Sequence, residues 1–239
     1  MKTIVIGDIH GRTVWKKIVN QYFDKFIFIG DYVDTHESIT PNQQLENLLD
    51  IIEFKKRNPD KVILLWGNHD HHYLNVGERY SGFQSVMFPT FNYIYKQNIE
   101  LFQMVHIQDN ILFSHAGLSK VWCDNNDVII NENLEQQINE LFYGRPSVFN
   151  FTGRDIYGDS HESNPIWIRE KSLSESKIPG YVFVVGHTTK IQLAQRGFLI
   201  SNHDGYKILD PNIWMIDTLG TSKEYLVIEN NQFKVYKYE

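Results

Sequence analysis

Gly7-Asp8-Ile9-His10-Gly11, entered straight from the apolar run Thr3-Ile4-Val5-Ile6, decides how the chain is read. An unbroken, largely β-branched run of that kind marks a strand buried on both faces. Here it ends on an aspartate and a histidine. Four further segments repeat the arrangement: Phe26-Ile27-Phe28-Ile29 before Gly30-Asp31-Tyr32-Val33-Asp34, Val62-Ile63-Leu64-Leu65-Trp66 before Gly67-Asn68-His69-Asp70, Ile111-Leu112-Phe113 before Ser114-His115-Ala116-Gly117, and Tyr181-Val182-Phe183-Val184-Val185 before Gly186-His187-Thr188. Five strands that end in Asp, Asn or His describe one metal site.

Between these strands the spacing changes to that of helices. Val14, Trp15, Ile18, Val19, Tyr22 and Phe23 recur at helical intervals, and Thr40-Pro41 opens a second helix carrying Leu45, Leu48, Leu49, Ile52 and Phe54, which Asn58-Pro59-Asp60 closes. Strand, helix and strand in that order form βαβ units. The stretch from His71 to Val105 is aromatic and reads as mostly helical. Strands follow near 103–108 and 110–114 about the turn Gln108-Asp109-Asn110, and the end of the chain is β-rich (181–186, 192–201, 213–217, 224–229, 232–237), with Glu229-Asn230-Asn231-Gln232 as a hairpin turn. Residues 120–178 show weak periodicity apart from a helix near 132–143, so this stretch is expected to be an insertion over the strand ends, a lid or specificity element on a single domain of residues 1–239.

Composition narrows the function. A hydrophobic content of 42% and an aromatic content of 14% are those of a globular protein. The net charge of −6 argues against an extended nucleic-acid surface. No apolar run is long enough to span a bilayer, and no signal-peptide pattern opens the chain, so a cytoplasmic protein is expected. Cys123 is the only cysteine, which excludes an internal disulfide and a thiolate-rich zinc site.

Any metal must then be held by nitrogen and oxygen, which suits Mn²⁺, Fe²⁺ or Zn²⁺. Asp8 and His10 stand two apart and leave an extended loop on the same side, so both can reach one ion. Asp31, with two carboxylate oxygens, can bridge that ion to a second one served by Asn68, His115 and His187. Two such ions acidify a water between them and clamp a phosphoryl group during in-line attack.

These five motifs, in this order over residues 7 to 188, resemble the calcineurin-like metallophosphoesterases, and within them the phosphoprotein phosphatase branch, which includes bacterial and phage serine/threonine phosphatases and the symmetrical diadenosine tetraphosphate hydrolases. The resemblance implies a mixed α/β fold: a four-layer αββα sandwich of two mixed β-sheets flanked by helices. It implies two divalent metal ions, manganese first with iron or zinc as alternatives, on Asp8, His10, Asp31, Asn68, His115 and His187, and a metal-bridging hydroxide as nucleophile. His69 matches the family's histidine beside the leaving-group oxygen and Asp34 the carboxylate that orients it, a pairing that keeps a proton on the imidazole near neutral pH. Arg169, in Trp167-Ile168-Arg169, is similar to a phosphate-binding arginine of bacterial members and joins Asn68 as a substrate contact.

Two positions depart from the protein-phosphatase pattern, because Thr35 and Trp66 stand where those members carry arginines. A monoester dianion is best held by bidentate arginine. The departures leave two substrates in view: a phosphomonoester (a phosphorylated small molecule, nucleotide or phosphopeptide), and a dinucleotide polyphosphate or phosphodiester on the same site.

The remaining polar residues take plainer readings. His36, His71, His72, His106, His161 and His203 are expected to be structural or solvent-exposed, although Asn202-His203-Asp204-Gly205 has metal-compatible types. Arg12, Arg145 and Arg154 read as surface charges, Asp217 as a hydrogen-bonding brace, and the aromatics from Tyr80 to Tyr95 as core. Trp66 reads as core or as an apolar wall of the site.

Overall fold

The computed structural model describes residues 1–74, 78–152, 159–190, 199–202, 205–208 and 210–238. The first three apolar runs become β1 (Lys2–Ile6), β2 (Lys25–Phe28) and β3 (Val62–Leu65), all parallel, and β4 (Phe102–Gln103) continues the set. The helices on the way are α1 (Trp15–Ile18), α2 (Pro41–Arg57), α3 (Asn68–His71) and α4 (Phe88–Gln97). The next pair is β5 (Val105–Gln108) and β6 (Ile111–Ser114), an antiparallel hairpin turned at Asp109 with φ 55°. Then come α5 (Lys120–Asn125), α6 (Leu134–Gly144), α7 (Glu170–Ser176), β7 (Val182–Val185), β8 (Leu199–Asn202), β9 (Gly205–Ile208), β10 (Ile213–Met215), β11 (Glu224–Glu229) and β12 (Gln232–Lys237).

Two mixed sheets result. The larger runs β12-β11-β1-β2-β3-β4 and the smaller β10-β7-β6-β5, while β8 and β9 pair with each other. Alternation along the strands separates two cores. Val5, Ile27, Ile29, Ile63 and Leu65 face Ile111, Phe113, Val184, Trp214 and Ile216 between the sheets. Ile4, Ile6, Phe26, Phe28, Val62 and Leu64 face outward onto a helical layer that includes Trp15, Leu48 and Ile51. Each such buried side chain contributes roughly 1.5–3 kcal/mol relative to exposure. The expected sandwich of two mixed sheets with helical layers is therefore the observed one.

Local signals account for several boundaries. Thr40 caps α2 in a capping box with Gln43, with Pro41 at the first helical position. The hairpin β11–β12 turns on Asn230 and Asn231 at φ 51° and 59°, the left-handed pair that a two-residue turn between twisted strands requires. The helix expected from Val14 to Phe23 shrinks to the single turn of α1: only Trp15 and Ile18 are buried there, and the Lys2 N–H bonds the Asp24 carboxylate, drawing the chain back to the sheet. Among the described residues, the aromatic stretch after His71 forms the ten-residue helix α4 and a 3-10 turn at Ile99–Leu101, with turns before them. Within residues 120–178, α6 buries Leu134, Ile138 and Phe142 in the helix-side core, and its Asn139 amide and Glu135 carboxylate bond the backbone of Met104, Val105 and Ile107.

Candidate metal centre

The five motif loops meet at the carboxyl ends of β1, β2, β3, β6 and β7, so the site lies along the seam between the two sheets. Backbone hydrogen bonds join the first two loops: Ile9 and His10 N–H donate to the Asp31 carbonyl at 3.0 and 2.7 Å, and Gly11 to Tyr32 at 2.8 Å. Gly186 N–H donates to the His115 carbonyl at 2.7 Å, joining the last two. Asp70, buried, accepts from the N–H groups of Asp31, Tyr32 and Gly67 and from Tyr95 Oη at 2.6–3.0 Å, locking the second loop to the third. The glycines of the motifs answer to close approach. A Cβ on Gly67 would lie 2.1 Å from Asp31 Oδ1, and one on Gly186 would lie 2.0 Å from Asp8 Oδ1.

Four site residues adopt left-handed backbone: His10, Asp31, Asp34 and His187, at φ 43°, 52°, 62° and 63°. For residues with a Cβ this costs about 1–2 kcal/mol each, a strain that the loop hydrogen bonds must hold in place.

The side chains then converge. Oxygens of Asp8 and Asp31 and a ring nitrogen of His115 lie within 4.8 Å of one another. Asn68 Oδ1 is 2.9 Å from His115 Nε2 and 3.0 Å from His187 Nδ1, and Asp31 Oδ2 is 3.3 Å from His115 Nε2 and 3.8 Å from His10 Nε2. His115 Nδ1 faces the Ile29 carbonyl at 3.0 Å and His10 Nδ1 the Val33 carbonyl at 3.0 Å. Those carbonyls can only accept, so each Nδ1 carries a proton and each ring turns Nε2 toward the oxygens of Asp31 and Asn68, where it can ligate a metal ion or, when protonated, donate a hydrogen bond. Carboxylate, amide and imidazole donors buried this close together can share a cation. Ligands at about 2.1 Å from one ion and at right angles stand about 3 Å apart, which is the spacing found. The backbone carbonyls behind His10 and His115 are the outer partners that metal-ligating histidines use.

Electrostatics agree with this geometry. Burial, then Asp217 and Asp31, push Asp8 well above the usual carboxylate range. Burial also opposes charge on Asp31, but His115, His69 and His10 overcome it and hold that carboxyl well below the usual range. Burial pulls His115 down, and Asp31 and Asp8 more than reverse it, to about 9. His187 is pushed well below its ordinary value, first by burial and then by His115 and Arg169. The donor set and its charges fit divalent ions.

Beside the cluster, His69 Nδ1 lies 3.4 Å from Asp34 Oδ2, and its ring meets that of His10 edge-on at 5.4 Å. Burial lowers His69 while Asp31 and Asp34 raise it, with a net rise above the ordinary histidine value. Arg169 Nη1 donates to Thr188 Oγ1 at 3.3 Å, next to His187, and Trp167 sets its edge against the His187 ring at 5.6 Å. Asp217 accepts from Thr189 Oγ1 at 2.6 Å.

Other residues fall elsewhere. Trp66 lies in the core against Phe102, Tyr95 and Phe142, at ring separations of 4.6, 5.4 and 5.4 Å, and so forms no wall of the site. Its parity with Val62 and Leu64 along β3 was the available signal. Thr35 Oγ1 accepts from the Glu37 N–H within its own loop. Arg12 is engaged by Glu37 and by the Asp8 carbonyl, and Arg145 lies at the surface near Asp127. His36, His106 and His161 are close to Ser81, Glu135 and Glu175 respectively. Arg154 and His203 lie outside the described residues. Two residues exceed their sequence readings: Asp70, which carries the brace between loops, and His72, buried with Nε2 2.6 Å from Asp34 Oδ2.

Comparison with known proteins defines the class. Residues 1–196 match the calcineurin-like phosphoesterase family, and the chain belongs to it. In sequence it is similar to the serine/threonine-protein phosphatase 4 catalytic subunit of Candida glabrata, at 29% identity over 125 residues, 48% of this chain and 38% of that one. The chain thus spans well under half the length of that curated relative. In structure it is similar to a cold-active protein-tyrosine phosphatase of a psychrophilic Shewanella species, with a TM-score of 0.66 and 20% identity over 98% of this chain and 77% of that one. A Saccharomyces cerevisiae protein serine/threonine phosphatase with similarity to human PP5 gives a TM-score of 0.58 and 14% identity over 100% and 80%. At these identities the solved structures establish a shared fold. Family and ligand clusters together point to a dinuclear divalent metal centre.

Proposed function

We propose that this protein is a dinuclear metal-dependent phosphoesterase acting on phosphomonoesters, in the manner of a serine/threonine phosphatase, with manganese as its metal and the cytoplasm as its compartment. The observation that carries the reading is the convergence of Asp31 Oδ2, Asn68 Oδ1, His115 Nε2 and His187 Nδ1, with neighbouring separations of 2.9–3.3 Å, beside the buried Asp8 carboxylate. Asp8, His10 and Asp31 would hold one ion and Asp31, Asn68, His115 and His187 the other. When bound, the pair would acidify a water and neutralise charge on the phosphoryl oxygens.

The chain's own residues supply the rest. Arg169 offers a guanidinium to a phosphate oxygen at the edge of the cluster, beside Asn68 as a second substrate contact. His69 turns Nδ1 to Asp34 and keeps Nε2 for the leaving-group oxygen, to which an imidazolium can give its proton. The 120–178 stretch, which contributes Trp167 and Arg169, acts as the specificity element. Among the described residues no helix is long and apolar enough to cross a membrane.

The test is a parallel assay of chelator-stripped protein reloaded with Mn²⁺, on a phosphoserine peptide, an aryl phosphomonoester, an aryl phosphodiester and a dinucleotide tetraphosphate. Hydrolysis of the monoesters at the highest rate, with two ions bound per chain, is expected. A higher rate on the diester or the dinucleotide would overturn the substrate assignment. A metal-loaded protein inert on all four would overturn the function.

A further inference from the structure

Asp34 is buried, and four polar groups close on its carboxylate. Tyr73 Oη and Gln84 Nε2 donate to Oδ1 at 2.6 and 3.1 Å. Oδ2 meets His72 Nε2 at 2.6 Å and His69 Nδ1 only at 3.4 Å. The oxygen that serves His69 is therefore held more closely by a second histidine. The His72 contact has the separation of an ion pair but lies off the line of an ordinary hydrogen bond, and neither nitrogen of that ring has a hydrogen-bond partner among the described residues. The ring is fixed by packing instead: Tyr80 stacks on it at 5.7 Å and 9°, Phe83 meets it edge-on at 4.9 Å and 90°, and Tyr73 edge-on at 4.5 Å and 87°.

The geometry points to His72 as a positioning residue for the Asp34–His69 pair, an inference that rests on His69 being the proton donor of the proposed reaction. Asp34 sits on left-handed backbone in a loop, so no regular element aims its carboxylate and the direction of Oδ2 is set by its partners. A clamped imidazole on the inner side of Oδ2 holds that oxygen in place and prevents His69 from being drawn inward onto it. His69 stays at the edge of the site, where its side chain is 15% exposed, next to His10. In the step concerned, the bond from phosphorus to the leaving oxygen breaks as a bond to a water-derived oxygen forms. The His69 proton passes to the leaving oxygen, and the neutral ring regains a proton from solvent.

A proton donor matters most when the leaving group is poor, which gives the test. Phenyl phosphate and dinitrophenyl phosphate are compared on Mn²⁺-loaded wild type, His72→Phe, His72→Gln and Tyr80→Leu, with metal content and melting temperature recorded. His72→Phe keeps an aromatic ring in the clamp but removes the nitrogen. It is expected to lower kcat on phenyl phosphate by about 10- to 100-fold, with KM unchanged, and on dinitrophenyl phosphate by less than about threefold. His72→Gln returns an N–H donor and is expected to recover the phenyl phosphate rate to within about threefold of wild type. Tyr80→Leu loosens the ring and should give the same leaving-group-dependent pattern, more weakly, which decides the matter if His72→Phe does not fold. Equal losses on both esters, an unchanged phenyl phosphate rate, or a Gln variant no better than Phe would overturn the inference. A wild type inert on both esters would instead overturn the proposed function.

Discussion

Two polar clusters stand side by side in this molecule, one gathered about a single buried carboxylate and the other about two. Around Asp34, Tyr73 and Gln84 donate to the carboxylate, the His69 and His72 rings approach it, and the Asp34 N–H itself bonds Gln44 Oε1 at 2.9 Å. Burial would raise Asp34, yet His69, His72 and Tyr73 hold it below the usual carboxylate range. Around Asp31, the buried carboxylates of Asp31 and Asp8 face the rings of His115 and His10, whose Nδ1–H groups point to backbone carbonyls on the far side. Both groups could hold an ion by their residue types, and the reading proposed above gives the first to proton transfer and the second to the metal ions.

The sharpest attempt to break this contrast is Asp31→Asn, which removes a charge from the two-carboxylate cluster. A loss of about a thousandfold or more in kcat/KM is expected, together with weaker Mn²⁺ binding by calorimetry, because several kcal/mol of transition-state stabilisation depends on the ions. Near-wild-type activity would mean that Asp31 does not bridge. Next in size, Tyr73→Phe removes a hydroxyl from the Asp34 cluster and should cost about 2 kcal/mol of stability. Urea unfolding with and without Mn²⁺ should show the same cost, whereas a cost that appears only in loaded protein would join the two clusters into one. The smallest effect expected is that of Arg169→Ala, a rise of about tenfold in KM for a phosphomonoester with little change in kcat, as befits one charge-assisted hydrogen bond. An unchanged KM would remove Arg169 from the substrate site.

The legibility of these features follows from how local their causes are. Strands ending in Asp, Asn or His declared themselves in sequence, since burial on both faces forces an unbroken apolar run and the polar residue at its end needs a reason to be there. The capping box at Thr40 and the Asn230-Asn231 turn were equally local. The single turn of α1 was not, because the spacing of Trp15 and Ile18 is the same whether a helix continues or is cut short by the Lys2–Asp24 contact. Trp66 was ambiguous only until its parity along β3 was taken seriously. His72 could not have been singled out, as its meaning comes from Asp34, a distant residue that folding brings within 2.6 Å.

The pairing of β1 with β11 has a consequence for how the protein is made. The strand that leads to Asp8 finds one neighbour, β2, soon after it is synthesised, but its other neighbour comes almost at the end of the chain, with Thr3 set against Ile228. Until then a five-residue apolar strand presents an open edge, a feature prone to pair with another molecule. His187, one of the proposed ligands, also follows all the others in the chain. A nascent chain therefore carries most of the centre but cannot close it, and aggregation-prone intermediates of this protein should be those in which the C-terminal hairpin has yet to dock.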